Sequence, residues 1–122
     1  MLIFLTFGCG LGNVDVTIDA PACTDWEFGE DFEQADVLVE YSQTRIDVVR
    51  AGVFMDCDAR FTPDILAEGN SITIDEVWEG EEGDCCWAPE VVLDTQRAGT
   101  IQVQWYDITG SEVYNQEIDT RD

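Results

Sequence analysis

The chain has 122 residues and carries 27 Asp and Glu against five Arg, with no Lys, no His and a formal net charge of −22. A surface of this charge repels phosphate backbones and anionic headgroups, which excludes nucleic-acid binding and electrostatic membrane docking. Without His there is no imidazole base, no Ser/His or Cys/His pair and no His-bearing zinc site; without Lys there is no Schiff base and no P-loop. The expectation is a protein that is not an enzyme and needs no cofactor.

Acid-rich chains are often disordered, but this one is 45% hydrophobic and 11% aromatic, and a chain of this size buries about two-thirds of its unfolded surface. Its acids are dispersed: Asp15, Asp19, Asp36, Glu40, Asp47, Asp94, Asp107 and Asp119 sit singly among apolar residues, as on the solvent face of a folded object. The acid load without Lys resembles proteins of salt-loving organisms, which implies a fold that gains stability as salt screens its surface.

In chain order, the first feature is the apolar run Met1 to Phe7, followed by Gly8-Cys9-Gly10. It is too short to span a bilayer, which takes about 20 residues. An apolar run ending in a small residue before Cys resembles the end of a bacterial lipoprotein signal. That resemblance implies that 1–8 is a signal-peptide-like remnant, that Cys9 is lipidated, and that the membrane is reached only through this anchor. The other reading of the same residues is a first strand, Leu2 to Phe7, with Cys9 in a turn. Residues 9–34 then form a tether and acidic segment, holding a short alternating strand, Val14 to Ile18, and a capping-box pattern of Thr24 with Glu27.

From residue 35 to 122 the period is two. Val37–Tyr41, Ile46–Val49, Gly52–Cys57, Ser71–Trp78, Glu90–Leu93, Thr100–Tyr106 and Glu112–Ile118 are rich in β-branched and aromatic residues, which predicts strands. Turn signals fall between them at Ala51-Gly52, 68–71, 79–84, Ala98-Gly99 and 109–111. The fold class expected is all-β: an antiparallel sandwich of about seven strands behind a short N-terminal tether. Ile72, Ile74 and Val77, with Ile101, Val103 and Trp105, are the expected inward residues; Thr73, Gln102 and Gln104 face solvent.

Five cysteines are an odd number, and setting Cys9 aside leaves Cys23, Cys57, Cys85 and Cys86 for two disulfides. Successive side chains of an extended strand point to opposite faces, so the adjacent Cys85 and Cys86 reach different partners. Either Cys57 pairs with Cys85 and Cys23 with Cys86, or the partners are exchanged. The competing arrangement is a metal thiolate of Cys57, Cys85 and Cys86 with Asp56 or Asp58, against which stands the lack of Cys pairs two to four residues apart.

Phe54-Met-Asp-Cys57 closing one strand, Cys85-Cys86 opening another, and Gly99-Thr-Ile-Gln-Val-Gln-Trp105 near the end resemble small exported bacterial domains, many of them lipoproteins, with a Cys-bearing immunoglobulin-like β-sandwich. The resemblance implies an immunoglobulin-like topology and an extracytoplasmic location, lipid-anchored to the cell envelope or secreted. An antibody-type domain is disfavoured, because no Tyr lies two residues before a second Cys.

Two candidate ligand sites remain. Asp75, Glu76, Glu79, Glu81, Glu82 and Asp84 form the densest acid cluster and offer the oxygen ligands that calcium takes; the plainer reading is a solvated hairpin loop. Trp78, Trp87, Trp105 and Tyr106 are candidates for a carbohydrate-stacking face, although large aromatics are more often core. Paired carboxylates of the glycosidase kind are unavoidable among so many acids and single out no residue. The expected function is a non-catalytic structural or interaction module of the cell envelope, with an envelope protein or polysaccharide as partner; the alternative is a calcium- or carbohydrate-binding module.

Overall fold

A computed structural model of the chain describes residues 2–6, 13–22, 37–50, 52–95 and 98–121. Among the described residues the fold is all-β. Cys9, Cys23, the Thr24–Glu27 capping pattern and the acidic segment 23–36 lie outside them.

One sheet has five strands. β1 (Leu2–Thr6) pairs with β2 (Asn13–Asp19), and β3 (Val37–Ser42) pairs with β4 (Arg45–Arg50). β5 (Val53–Met55), β6 (Arg60–Phe61), β7 (Asp64–Glu68), β8 (Ser71–Asp75), β9 (Trp78–Glu79) and β10 (Cys85–Trp87) follow, and then β11 (Glu90–Asp94) inserts between β2 and β4, giving the order β1-β2-β11-β4-β3. β12 (Thr100–Tyr106) and β13 (Glu112–Asp119) complete a second sheet of order β13-β12-β8-β7, and β5–β10 and β6–β9 form two short pairs.

The alternation of the strands explains the core. Val14 and Val16, Ile46 and Val48, and Val91 and Leu93 point inward from the first sheet; Ile72, Ile74, Ile101, Val103, Trp105 and Ile118 do so from the second, and all belong to one buried cluster. Burying each such side chain contributes about 1.5–3 kcal/mol. Gln102 is exposed, while Thr73 and Gln104 are half-buried and bonded to each other at 3.4 Å.

Several expectations need correction. Residues 13–19 are not a free tether: β2 lies inside the five-stranded sheet, and Val14 and Val16 are fully buried, because their alternation matches that of β11. Leu2–Thr6 pairs as an edge strand, with Leu2 opposite Thr17 and Thr6 opposite Asn13. Among the described residues thirteen strand segments replace the seven or so expected, since pieces of two or three residues such as β6, β9 and β10 are too short to show a period. The ladders are antiparallel except β8–β12, which is parallel. That pair needs no hairpin, because residues 76–99 cross to the other sheet and return.

Two predicted turns are not hairpins either. β4 and β5 do not pair with each other: β4 pairs with β11 and β5 with β10, and Gly52 before β5 has a φ of 63°. The 79–84 segment is a strap laid against the 56–59 turn, with the Asp56 amide donating to the Glu81 carbonyl at 2.8 Å. A Cβ at Gly83 would lie 2.7 Å from the Asp56 nitrogen, so only glycine allows this approach.

Candidate functional site

The period that buries Ile72 and Ile74 also turns residues 76 and 78 inward. Residue 76 is a glutamate, and it is 4% exposed. β8 ends just before it, where the Glu76 amide donates to the Tyr106 carbonyl at 2.9 Å. Its carboxylate is fully engaged. Oε1 accepts from Arg50 Nε and from Trp105 Nε1, each at 3.1 Å, and Oε2 accepts from Trp78 Nε1 at 3.0 Å. A buried charge is tolerable only when paired and hydrogen-bonded in this way.

Aromatic rings wall the carboxylate off from water. Phe61 stacks on Trp105 with centroids 6.0 Å apart and planes 2° from parallel, and lies 5.3 Å from Trp78. Trp78 is in turn 6.4 Å from Trp87, whose indole N–H donates to the Asp56 carbonyl at 3.2 Å. Trp105 and Trp78 are therefore core residues with a polar duty, whereas Trp87 and Tyr106 are half-buried.

Beside this cluster opens a pocket of about 380 Å³. Arg50 and Glu76 lie at its inner side; Glu82 of the strap, Asp107 and Ile108 of the β12–β13 turn, and residues 52–55 complete it. Phe54 is 59% exposed and Ile108 50%. Asp107 Oδ1 accepts from the Thr109 hydroxyl at 2.6 Å and from the amides of Thr109 and Ser111 at 2.9 and 3.0 Å. The Thr109 hydroxyl above all holds the Asp107 carboxyl below its usual range, against the opposing effect of burial. The pocket's lining thus carries three carboxylates against one guanidinium, whose Nε is bonded to Glu76 and whose charge also helps to lower the Asp107 carboxyl.

The predicted acid cluster is not gathered in one place. Glu76 is interior, Asp75 stands opposite Asp64 across β7–β8, Glu79 pairs across to Arg60 in β6–β9, and Glu81, Glu82 and Asp84 are exposed along the strap. Among the described residues no group of three or more His, Cys, Asp or Glu is arranged to hold a metal ion. Cys57 and Cys85 form a disulfide with Cα atoms 5.2 Å apart, and Cys86 is also disulfide-bonded; these bonds replace the metal-thiolate arrangement. Asp56 and Asp58 are exposed beside the bridge.

Arg50, Phe54, Asp107 and Ile108 were not among the site residues expected from the sequence. Parity could have found Glu76, because Ile72 and Ile74 share its register while Val77 does not; Val77 is 38% exposed.

Fold and site together define an all-β, disulfide-bonded acidic protein with a buried ion pair beneath one open pocket. Compared with protein-family models, with curated proteins and with solved structures, the chain matches none.

Proposed function

We propose that the chain is a non-catalytic interaction module of the cell envelope, an immunoglobulin-like β-sandwich that is secreted or held at the membrane by lipid on Cys9. The observation that carries this reading is the disulfide between Cys57 and Cys85, with Cys86 bonded as well. Disulfides persist in oxidising compartments and are rare in the cytosol. The acidic coat supports a salt-rich setting: Glu90 stands opposite Asp19, Asp94 opposite Asp15, Glu40 opposite Asp47 and Asp64 opposite Asp75. Like charges directly across a ladder repel, and molar salt screens them.

Cell fractionation with non-reducing mass spectrometry of the recovered protein tests the reading. The expected result is an envelope or extracellular protein without free thiols, released from the membrane by Cys9→Ser. The measured mass also decides the fate of β1, since lipidation of Cys9 removes residues 1–8 and leaves β2 at the sheet edge. A reduced, cytosolic protein would overturn the proposal.

A second reading, polysaccharide binding, is favoured by a recess of about 470 Å³ whose wall includes Trp87, Phe61 and Ile18 with Arg60 and Asp19. Aromatic faces beside a charged pair suit a sugar ring. Titration with a polysaccharide panel tests it, and binding unaffected by Trp87→Ala would reject this recess.

A further inference from the structure

The pocket next to Glu76 has a feature that a hollow over one face of a strand does not have. Its lining takes in four consecutive residues, Gly52, Val53, Phe54 and Met55, although successive side chains of a strand point to opposite faces. A hollow that meets every residue in turn runs along the edge of the strand, beside its backbone. β10 pairs with one edge of β5, and among the described residues no strand pairs with the other. An open strand edge is a template for another chain.

The surroundings define what that chain would carry. Phe54 and Ile108, each at least half exposed, offer apolar contact beside the edge. Glu82, Asp107 and Glu76 set three negative charges in the pocket against Arg50, whose Nε is bonded to Glu76. The pocket favours a cation on a long aliphatic stem, and an exposed Phe face adds cation–π attraction. The chain's own acidic segment 23–36 has the wrong charge for it. A net charge of −22 further steers a basic partner toward the surface.

Resting on the reading as an interaction module, we propose that the outer edge of β5 and its pocket form a strand-addition site for an extended basic segment of a partner protein, with Arg or Lys alternating with apolar residues. The partner's backbone continues the β5–β10 ladder, and one cationic side chain enters the pocket toward Glu82 and Asp107, its aliphatic stem passing Phe54 and Ile108. Main-chain bonds supply affinity and the pocket supplies selectivity, as in other strand-addition complexes.

The test uses the full chain and a capped seven-residue peptide of alternating Arg and Val, titrated calorimetrically, with amide exchange followed by NMR. The expected result is binding that weakens about tenfold in the Glu82→Gln/Asp107→Asn double variant and about tenfold when the peptide is N-methylated along one edge, with exchange slowing at the amides among 53–55 that point away from β10. The control double variant Glu68→Gln/Glu117→Gln removes the same charge from exposed positions on β7 and β13 and leaves the affinity within about twofold, the sign of a local rather than diffuse attraction. Equal weakening by both double variants, indifference to N-methylation, or protection in the free protein of those amides among 53–55 that point away from β10 would each overturn the site. An exported, disulfide-bonded protein failing these tests loses this inference alone, whereas a reduced cytosolic protein loses the reading beneath it.

Discussion

Between Val16, Ile46, Val91 and Leu93 of one sheet and Ile72, Ile74, Ile101 and Val103 of the other, the interior is wholly aliphatic. At the end of β8 the same alternation delivers Glu76, held by Arg50 and two indoles. The aliphatic region is stabilised by burial that depends little on any single partner. The Glu76 end depends on every partner being present, because each one compensates the desolvation of the others. Removing a methyl-bearing side chain leaves a void; removing the carboxylate takes the acceptor away from Arg50 Nε and from two indole N–H donors.

The largest expected effect sharpens that contrast. Glu76→Ala should cost about 4 kcal/mol, as for other broken buried pairs, and Leu93→Ala about 3 kcal/mol, both read from urea unfolding. Size alone does not separate the regions, but coupling does. Arg50→Met in the Glu76→Gln background should cost at least about 1 kcal/mol less than in the parent. Additive effects would show that Arg50 and Glu76 do not act as a unit.

The next largest concerns the strap. Replacing Cys57 and Cys85 by Ala opens a link with a sequence separation of 28 and should cost about 3.6 kcal/mol in the chain-entropy description. The bridge lies at the 56–59 turn, where the strap is also held by the Asp56 amide bond to Glu81. Hydrogen exchange should therefore rise first at residues 79–85, while β8 and β12 change only with global stability. Uniform loss of protection would mean that the strap and the aliphatic core unfold as one.

These regions also differ in how far they were legible in advance. Alternation alone placed Ile72, Ile74, Ile101, Val103 and Trp105 inside, because an aliphatic core repeats one rule at every position. Val77 is apolar yet out of the parity set by Ile72 and Ile74, and parity decides: it is 38% exposed. Glu76 belongs to the acid cluster by composition but to the inward face by period, and the period prevails because Arg50 and two indoles compensate its burial. Its partner Arg50 lies 26 residues away, on a strand of the other sheet, and no local pattern links them. The adjacency of Cys85 and Cys86 foretold two different partners but left the choice for Cys57 open, since pairing depends on how β5 and β10 meet. The pocket was out of reach for the same reason: it joins β5, the strap and the β12–β13 turn, three segments brought together only by the folded topology.

A smaller effect contrasts the outer faces with both interior regions. Raising NaCl from 0.1 to 1 M should stabilise the protein by about 1 kcal/mol, because the opposed acid pairs on the ladders are exposed enough to be screened. The same salt step should leave the cost of Leu93→Ala unchanged. A melting temperature that stays flat or falls would remove the halophilic reading of the coat.

The smallest expected effect isolates one of those pairs. Glu90 lies on β11 between β2 and β4, opposite Asp19. Partial burial, then the charges of Asp47 and Asp19, push its carboxyl above the usual range, with Arg45 pulling the other way. A carboxyl raised in the folded state holds its proton longer than in the unfolded chain. Stability therefore falls as pH rises from the unfolded value, about 4.3, through the folded one, and the full penalty persists above that window. Glu90→Gln removes the charge and should stabilise the protein at pH 7 by a few tenths of a kcal/mol, a figure kept small because the group is only partly buried and solvent screens it. Below about pH 4 both states are protonated and the advantage should vanish. Chemical denaturation at pH 7 and pH 3.5 checks the sign. A gain of equal size at both values would mean that the glutamine acts through packing, and that charge repulsion at this position has no part in the stability of the sheet.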